Sequence, residues 1–180
     1  MQDRKSEIVS AGLNVLREEG LAGFTQPRIA ARAGLRQSHL TYYFPTRVDL
    51  LAGVARLAVD SQLAAVDLML AGSSPAEVTL TMARVMILHE NTRVLMGMAQ
   101  AADLEPALRE LFRELAAGIL ERLGAWLGSM NIPVTQANLD LMHALSVGLA
   151  VIDLATSRSD GADRTKAALE AALTMLGAKP

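Results

Sequence analysis

Between Gly20 and Val48 the sequence carries no acid but four arginines: Arg28, Arg32, Arg36 and Arg47. A local excess of positive charge of this kind is an electrostatic footprint for phosphate, unless the gap in acids arose by chance. Within the stretch, Gln37, Ser38, His39, Thr41, Tyr42 and Tyr43 all carry hydrogen-bonding groups, and none is acidic. Glutamine matches the donor–acceptor edge of adenine, and Ser, Thr and His are versatile partners for base edges. The chemistry this pattern offers is phosphate attraction beside base readout. Four of the chain's aromatic residues (Phe24, Tyr42, Tyr43 and Phe44) fall here too.

Such groups act only if short helices hold them. Residues 25–44 read as helix, glycine turn, helix. Thr25 is placed to cap the first of these helices, with Pro27 in its first turn, where a missing N–H costs nothing. Ala30 and Ala33 allow close helix approach, and Gly34 supplies the turn. A second short helix spans about Gln37 to Phe44, and Pro45 stops it. This is the helix-turn-helix pattern, in which the second helix enters the major groove. Leu40 and Phe44, four apart, point inward. At 100° per residue Ser38 and Tyr42 point out. Tyr42 and Tyr43 can instead be amphipathic packing at a domain joint. Ile29, Leu35, Leu40 and Phe44 are expected to share a core with a preceding helix from about Asp3 to Glu19, whose apolar face holds Ile8, Ala11 and Val15. Gly20 ends that helix.

The remainder reads as helical throughout, since apolar spacing follows the helical period and strand signals are nearly absent. Thr46 caps a long helix from Arg47 to about Ala71. Further helices are expected at about 75–89, 91–101, 106–128, 135–156 and 162–176. The fold class is all-α, with about nine helices: an N-terminal three-helix domain over 1–46 and a helical bundle over 47–180.

The chain has 180 residues, 51% hydrophobic and 20% charged, with no cysteine. That length can bury about 70% of the unfolded surface without staples. Disulfides and thiolate metal sites are excluded. The net charge of −2 argues by itself against a nucleic-acid partner. Its distribution argues the other way: residues 1–50 carry +2 and residues 51–180 carry −4. The charged start resembles no secretory signal. The most apolar run, Ala144 to Ile152, lies between His143 and Asp153 and falls short of the roughly 20 residues of a membrane span. The expectation is a soluble cytoplasmic protein with no membrane partner.

Over residues 8–50 the sequence resembles the tetracycline-repressor (TetR) family of bacterial transcription regulators. The resemblance rests on Ile8-Val9, Ala11, Leu13, Glu18, Gly20, Thr25, Ile29-Ala30, Ala33-Gly34-Leu35, Leu40, Tyr42-Tyr43-Phe44-Pro45-Thr46-Arg47 and Leu50-Leu51. It implies a ligand-responsive repressor that binds a palindromic double-stranded operator as a homodimer. It implies that Thr25 caps and meets a phosphate, and that Gln37, Ser38 and His39 touch base edges. Tyr42 and Tyr43 would then meet phosphate and the groove wall, and Arg47 would stand where a lysine commonly reaches a phosphate. Gln26, Arg28, Arg36 and Thr41 complete the expected DNA-binding set. The chain departs from the family at Thr41 (usually Tyr), Arg36 (often Ser or Thr), Arg28 (a base where the family's second helix often carries an acid nearby) and Gly12 (commonly Ala). Arg36 leaves the recognition helix without a side-chain cap, and Gly12 costs up to about 1 kcal/mol in helix propensity.

A dimer of such modules needs a second interface. Leu145, Gly148, Leu149 and Ile152 on one late helix, with Ala168, Ala172 and Met175 on the last, offer a face for a four-helix bundle, or alternatively internal core. Met82, Met86 and Met96, with His89, Arg93 and His143, suit an apolar pocket with polar anchors for an unidentified small effector. Ordinary core and solvent-facing groups would look the same, and Arg93 can equally pair with Glu90. Trp126 reads as core. No cofactor, metal or catalytic residue is expected. The three histidines lack metal-ligand spacing, His89-Glu90 lacks a second histidine, and no phosphate loop appears. Glu110, Glu114 and Glu121 share a helix with Arg109, Arg113 and Arg122 and read as a solvated face of intrahelical pairs. The alternatives are a helical-bundle enzyme or small-molecule carrier, or a helix-turn-helix protein that binds protein.

Overall fold

A computed structural model describes residues 4–178. Among these residues there are nine helices and no strand: α1 (Arg4–Gly23), α2 (Gln26–Arg32), α3 (Gln37–Tyr43), α4 (Arg47–Leu70), α5 (Pro75–Met86), α6 (His89–Leu104), α7 (Pro106–Ser129), α8 (Gln136–Thr156) and α9 (Gly161–Met175). The all-helical expectation holds. The expected helix starting at Asp3 begins outside the described residues.

The chain ends its helices where the sequence places permissive residues. Gly20 (φ 68°) breaks α1, so that its last residues form a separate short turn. Gly34 (φ 66°) makes the turn between α2 and α3. These left-handed torsions are the ones glycine adopts without a Cβ penalty. Thr46 and Asp49 cap α4 reciprocally. The Asp49 N–H donates to Thr46 Oγ1 at 3.0 Å, and the Thr46 N–H donates to Asp49 Oδ2 at 3.1 Å. Thr25 stands at the start of α2 with extended backbone (φ −124°), but its hydroxyl makes no capping bond. The side-chain cap expected there is absent, and Pro27 in the first turn leaves one fewer N–H to satisfy.

The chain divides into two compact units. One runs up to Gln62 and includes Arg93–Leu115; the other comprises Leu63–Thr92 and Ala116 onward. In the first, α1 packs on α2 and α2 on α3. Its core holds Ile8, Val15, Leu16, Phe24, Ile29, Leu40, Leu50 and Val54, all fully buried. Gly12 belongs to this core. A Cβ there would fall 2.6 Å from Val54 Cγ2, so the glycine lets α4 approach α1.

In the second unit α5 packs on α9, with α8 against both. Its core gathers Val78, Leu123, Trp126, Leu127, Met142, Leu169 and Leu173. Trp126 is core as expected, with its indole N–H buried and unpartnered. The charges of α7 do more than form a solvated face. Arg113 pairs with Glu110 within the helix, but Glu114 pairs with Arg56 of α4, in the first unit. Within the second unit, Arg122 grips Asp67 of α4 at 2.7 and 2.6 Å. The expectation of purely intrahelical pairs is corrected, because long guanidinium arms reach the neighbouring helix.

By length and composition α8 alone, among the described residues, would suffice to cross a membrane (mean hydropathy 1.5). Counting only Ala144 to Ile152 understated it, because His143 and Asp153 dilute a long apolar helix very little.

Candidate nucleic-acid interface

The interface begins with what α3 hides. Leu40 is fully buried and Phe44 is 9% exposed, so one side of the short helix is fixed to the core. The other side is therefore presented. Arg36, Gln37, Ser38, His39, Thr41 and Tyr42 are exposed, and Tyr43 is half-buried. Tyr42 is 81% exposed. Its ring meets that of Tyr43 edge to face, with centroids 5.2 Å apart and planes at 86°. Arg36 precedes α3 with extended backbone and no side-chain cap, as the sequence suggests. Leu35 is half-buried at the edge of this surface and is not part of a shared core.

Several side chains are already engaged. Thr41 Oγ1 donates to the Gln37 carbonyl at 2.9 Å. Gln26 Nε2 donates to the Phe44 carbonyl at 3.2 Å, tying α2 to the end of α3. Arg47 Nε donates to the Phe24 carbonyl at 3.1 Å, and its Nη2 donates to the Leu21 carbonyl at 3.4 Å.

The basic patch is smaller than the sequence suggests. Arg28 pairs with Glu19, and Arg32 grips Glu18 through both terminal nitrogens. Both acids lie on α1, outside the acid-free stretch but beside it in space. The hydrogen bond from Arg32 holds the Glu18 carboxyl below its ordinary range, and the same bond raises Arg32. Among the described residues Arg36 stands beside the recognition surface without such a pair, and Arg4, at the start of α1, pairs only with Glu7 three residues on along its own helix.

The structure does not gather the six candidate effector residues into one unit. Met82, Met86, His89 and His143 lie in the second unit, whereas Arg93 and Met96 lie in the first. Met82 and Met86 pack against the second unit's core. His89 Nε2 stands 3.0 Å from Asp153 Oδ2, and Asp153 is itself buried against the first residue of α9, where Gly161 leaves no room for a Cβ. His143 is half-buried. Burial lowers its pKa, and the nearby Asp140 carboxylate opposes that shift. Arg93 donates to the Arg17 carbonyl at 3.2 Å and makes no pair with Glu90. Met96 is 40% exposed. Of the candidate dimer residues, Ile152 and Met175 are 53% and 85% exposed, while Leu145, Gly148, Leu149, Ala168 and Ala172 are half-buried. Sequence reasoning missed Asp153. The one signal was an acid at the end of an apolar run.

Comparison with known proteins places this arrangement. Residues 8–54 match the family model described as bacterial regulatory proteins, tetR family. The HTH-type transcriptional regulator CymR of Pseudomonas putida is 27% identical over 112 residues, and that match spans 60% of this chain and 55% of CymR. The chain thus matches little more than half the length of that relative. A transcriptional regulator of Rhodococcus sp. Rha1 shares the fold with a TM-score of 0.83 at 24% identity, over 96% of this chain and 95% of that one. The multidrug binding protein EbrR, solved with proflavin, does so with a TM-score of 0.66 at 23% identity, over 94% and 99%. Taken with the helix-turn-helix geometry, the match makes residues 8–54 similar to the bacterial regulatory proteins of the tetR family.

Proposed function

We propose that the chain is a DNA-binding transcriptional repressor, homodimeric, and released from a palindromic operator when a small ligand binds its C-terminal part. The observation that carries this reading is the division of α3: Leu40 and Phe44 buried, and Gln37, Ser38, His39 and Tyr42 exposed with no acid among them. Residues 1–46 form the DNA-binding domain and residues 47–180 the effector and dimerisation domain. Gln37, Ser38 and His39 read base edges. Thr25, Gln26, Arg28, Arg36, Thr41, Tyr42, Tyr43 and Arg47 position the helix by phosphate and groove-wall contacts. Two such helices in a dimer sit roughly 34–36 Å apart, one turn of duplex.

The α8 and α9 faces supply the dimer contact. Leu141 and Ile152 stand exposed on α8, and Leu145, Gly148 and Leu149 between them are only half-buried within the chain. An apolar helix left this open in a DNA-binding chain calls for a second copy. Met82, Met86, His89 and His143 offer the effector site, and Arg93 and Met96 lie outside that group. Ligand-bound relatives such as EbrR with proflavin support small-molecule control. The effector acts by preferring the conformation that cannot bind DNA. Catalysis plays no part in this reading.

Selection from a random duplex library with the purified chain tests it. An enriched palindrome with half-sites one turn apart is the expected result. Binding without enrichment would reduce α3 to a basic surface without readout. A purified, ligand-free chain that binds no duplex at low salt would overturn the reading.

A further inference from the structure

An open groove of about 330 Å³ runs beside α3, lined by Arg4, Leu35, His39, Tyr42 and Tyr43. Arg4 opens α1 and comes from far along the sequence to join the recognition helix. We propose that this groove seats one phosphodiester of the duplex backbone, with Arg4 as its cation; the proposal rests on the DNA-binding reading above.

Among the described residues the lining carries one guanidinium, two phenols and an imidazole, with the Glu7 carboxylate just outside it on Arg4. Each polar group of the lining donates to an anionic oxygen, and guanidinium–phosphate bonds are among the strongest of that kind. Leu35 gives an apolar wall that suits a deoxyribose. The edge-to-face packing of Tyr42 and Tyr43 holds their rings in place. A groove that only packed protein would not need a cation at its edge.

Arg4 is also easier to recruit than Arg28, Arg32 or Arg47. Its Nη1 donates to Glu7 Oε2 at 2.5 Å, three residues on along the same exposed surface. Exposed pairs of this spacing contribute little, so the guanidinium exchanges carboxylate for phosphate at small cost. Arg28 and Arg32 are held across helices by Glu19 and Glu18, and Arg47 by two backbone carbonyls. Glu7 therefore acts as a latch that competes with DNA for Arg4.

The test uses the full chain and the duplex enriched by selection, with affinity read by fluorescence anisotropy across a salt series. Arg4→Ala should make the plot of log affinity against log salt shallower by about 0.9, the loss of one phosphate contact, with base preference unchanged. Arg4→Lys should restore the slope. Glu7→Gln should tighten binding in the wild-type background and lose that gain when Arg4 is already alanine. An unchanged slope in Arg4→Ala overturns the proposal, as does an equal effect of Glu7→Gln in both backgrounds, which would mark simple charge repulsion. If the wild-type chain selects no duplex, the DNA-binding reading fails and the groove assignment falls with it. If the wild type binds and Arg4→Ala binds identically, only the groove assignment fails.

Discussion

Arg47 and Phe24 are joined twice: Arg47 Nε donates to the Phe24 carbonyl at 3.1 Å, and the guanidinium carbon stands 5.9 Å over the Phe24 ring. The residue expected to reach a phosphate thus also holds the start of α4 against the end of α1. Arg47→Ala should lower unfolding stability by about 1–2 kcal/mol, from one charged hydrogen bond and one cation–π contact. Urea unfolding checks this. Arg47→Lys keeps the charge and loses the fork. If Arg47 also meets a phosphate, the alanine variant loses about 1 from the salt slope and the lysine variant regains it. A normal slope in the alanine variant would confine Arg47 to the structural role.

Gln37 opens the exposed side of α3, and among the described residues its side chain has no hydrogen-bond partner. Its substitution by alanine should relax preference at one base pair per half-site, at about 1–3 kcal/mol. Binding to a set of singly substituted operators measures it. A uniform loss across all of them would reject base readout by Gln37.

Gly12→Ala sets two effects against each other. Alanine gains up to about 1 kcal/mol in helix propensity. Its Cβ would meet Val54 Cγ2 at 2.6 Å, with Phe24 and Ile29 close behind. Overpacking of a well-filled core costs about 1–3 kcal/mol, so the clash should win and the variant should be less stable. Pairing it with Val54→Ala should recover part of the loss. A Gly12→Ala chain more stable than wild type would show that α1 and α4 can separate freely.

The half-buried His143 gives a pH signature. Burial lowers its folded pKa below the unfolded value near 6.5. The neutral ring is favoured in the folded state. Its stabilising contribution is complete above the unfolded pKa, and it is lost as pH falls through the folded one. His143→Gln should flatten the decline in melting temperature below about pH 6.5 relative to wild type. Parallel curves for the two chains would refute the assignment.

Ile152 is 53% exposed on α8. If α8 carries the proposed dimer contact, Ile152→Arg should give monomers that keep their helical content, read by native mass spectrometry and circular dichroism beside the wild-type chain. An unchanged dimer would move the interface away from this part of α8.

Local signals in the sequence carried far. Gly20 and Gly34 adopt the left-handed torsions that end α1 and turn α2 into α3. Thr46 caps α4, and the helical wheel places Leu40 inside and Tyr42 outside. Each of these outcomes depends on residues within about one turn. What stayed illegible depends on the ends of long side chains. Glu18 and Arg32 lie 14 residues apart, and only the packing of α1 on α2 brings them together. Arg4 reaches the α3 groove, and Arg93 spends its guanidinium on the carbonyl of Arg17, for the same reason. Thr25 marks the start of α2 correctly, yet its hydroxyl does not cap, because position is local while rotamer choice is not.

The pairing of Arg28 and Arg32 with Glu19 and Glu18 has a kinetic consequence. Beyond a Debye length of about 8–10 Å, each pair appears to an approaching duplex as a small dipole with little net charge. Long-range steering then falls to the cations outside those pairs, within a chain whose net charge is negative. First encounters with duplex should therefore be slow for a DNA-binding protein, with an association rate only weakly sensitive to salt. Discrimination between sites is then left to how long each complex lasts.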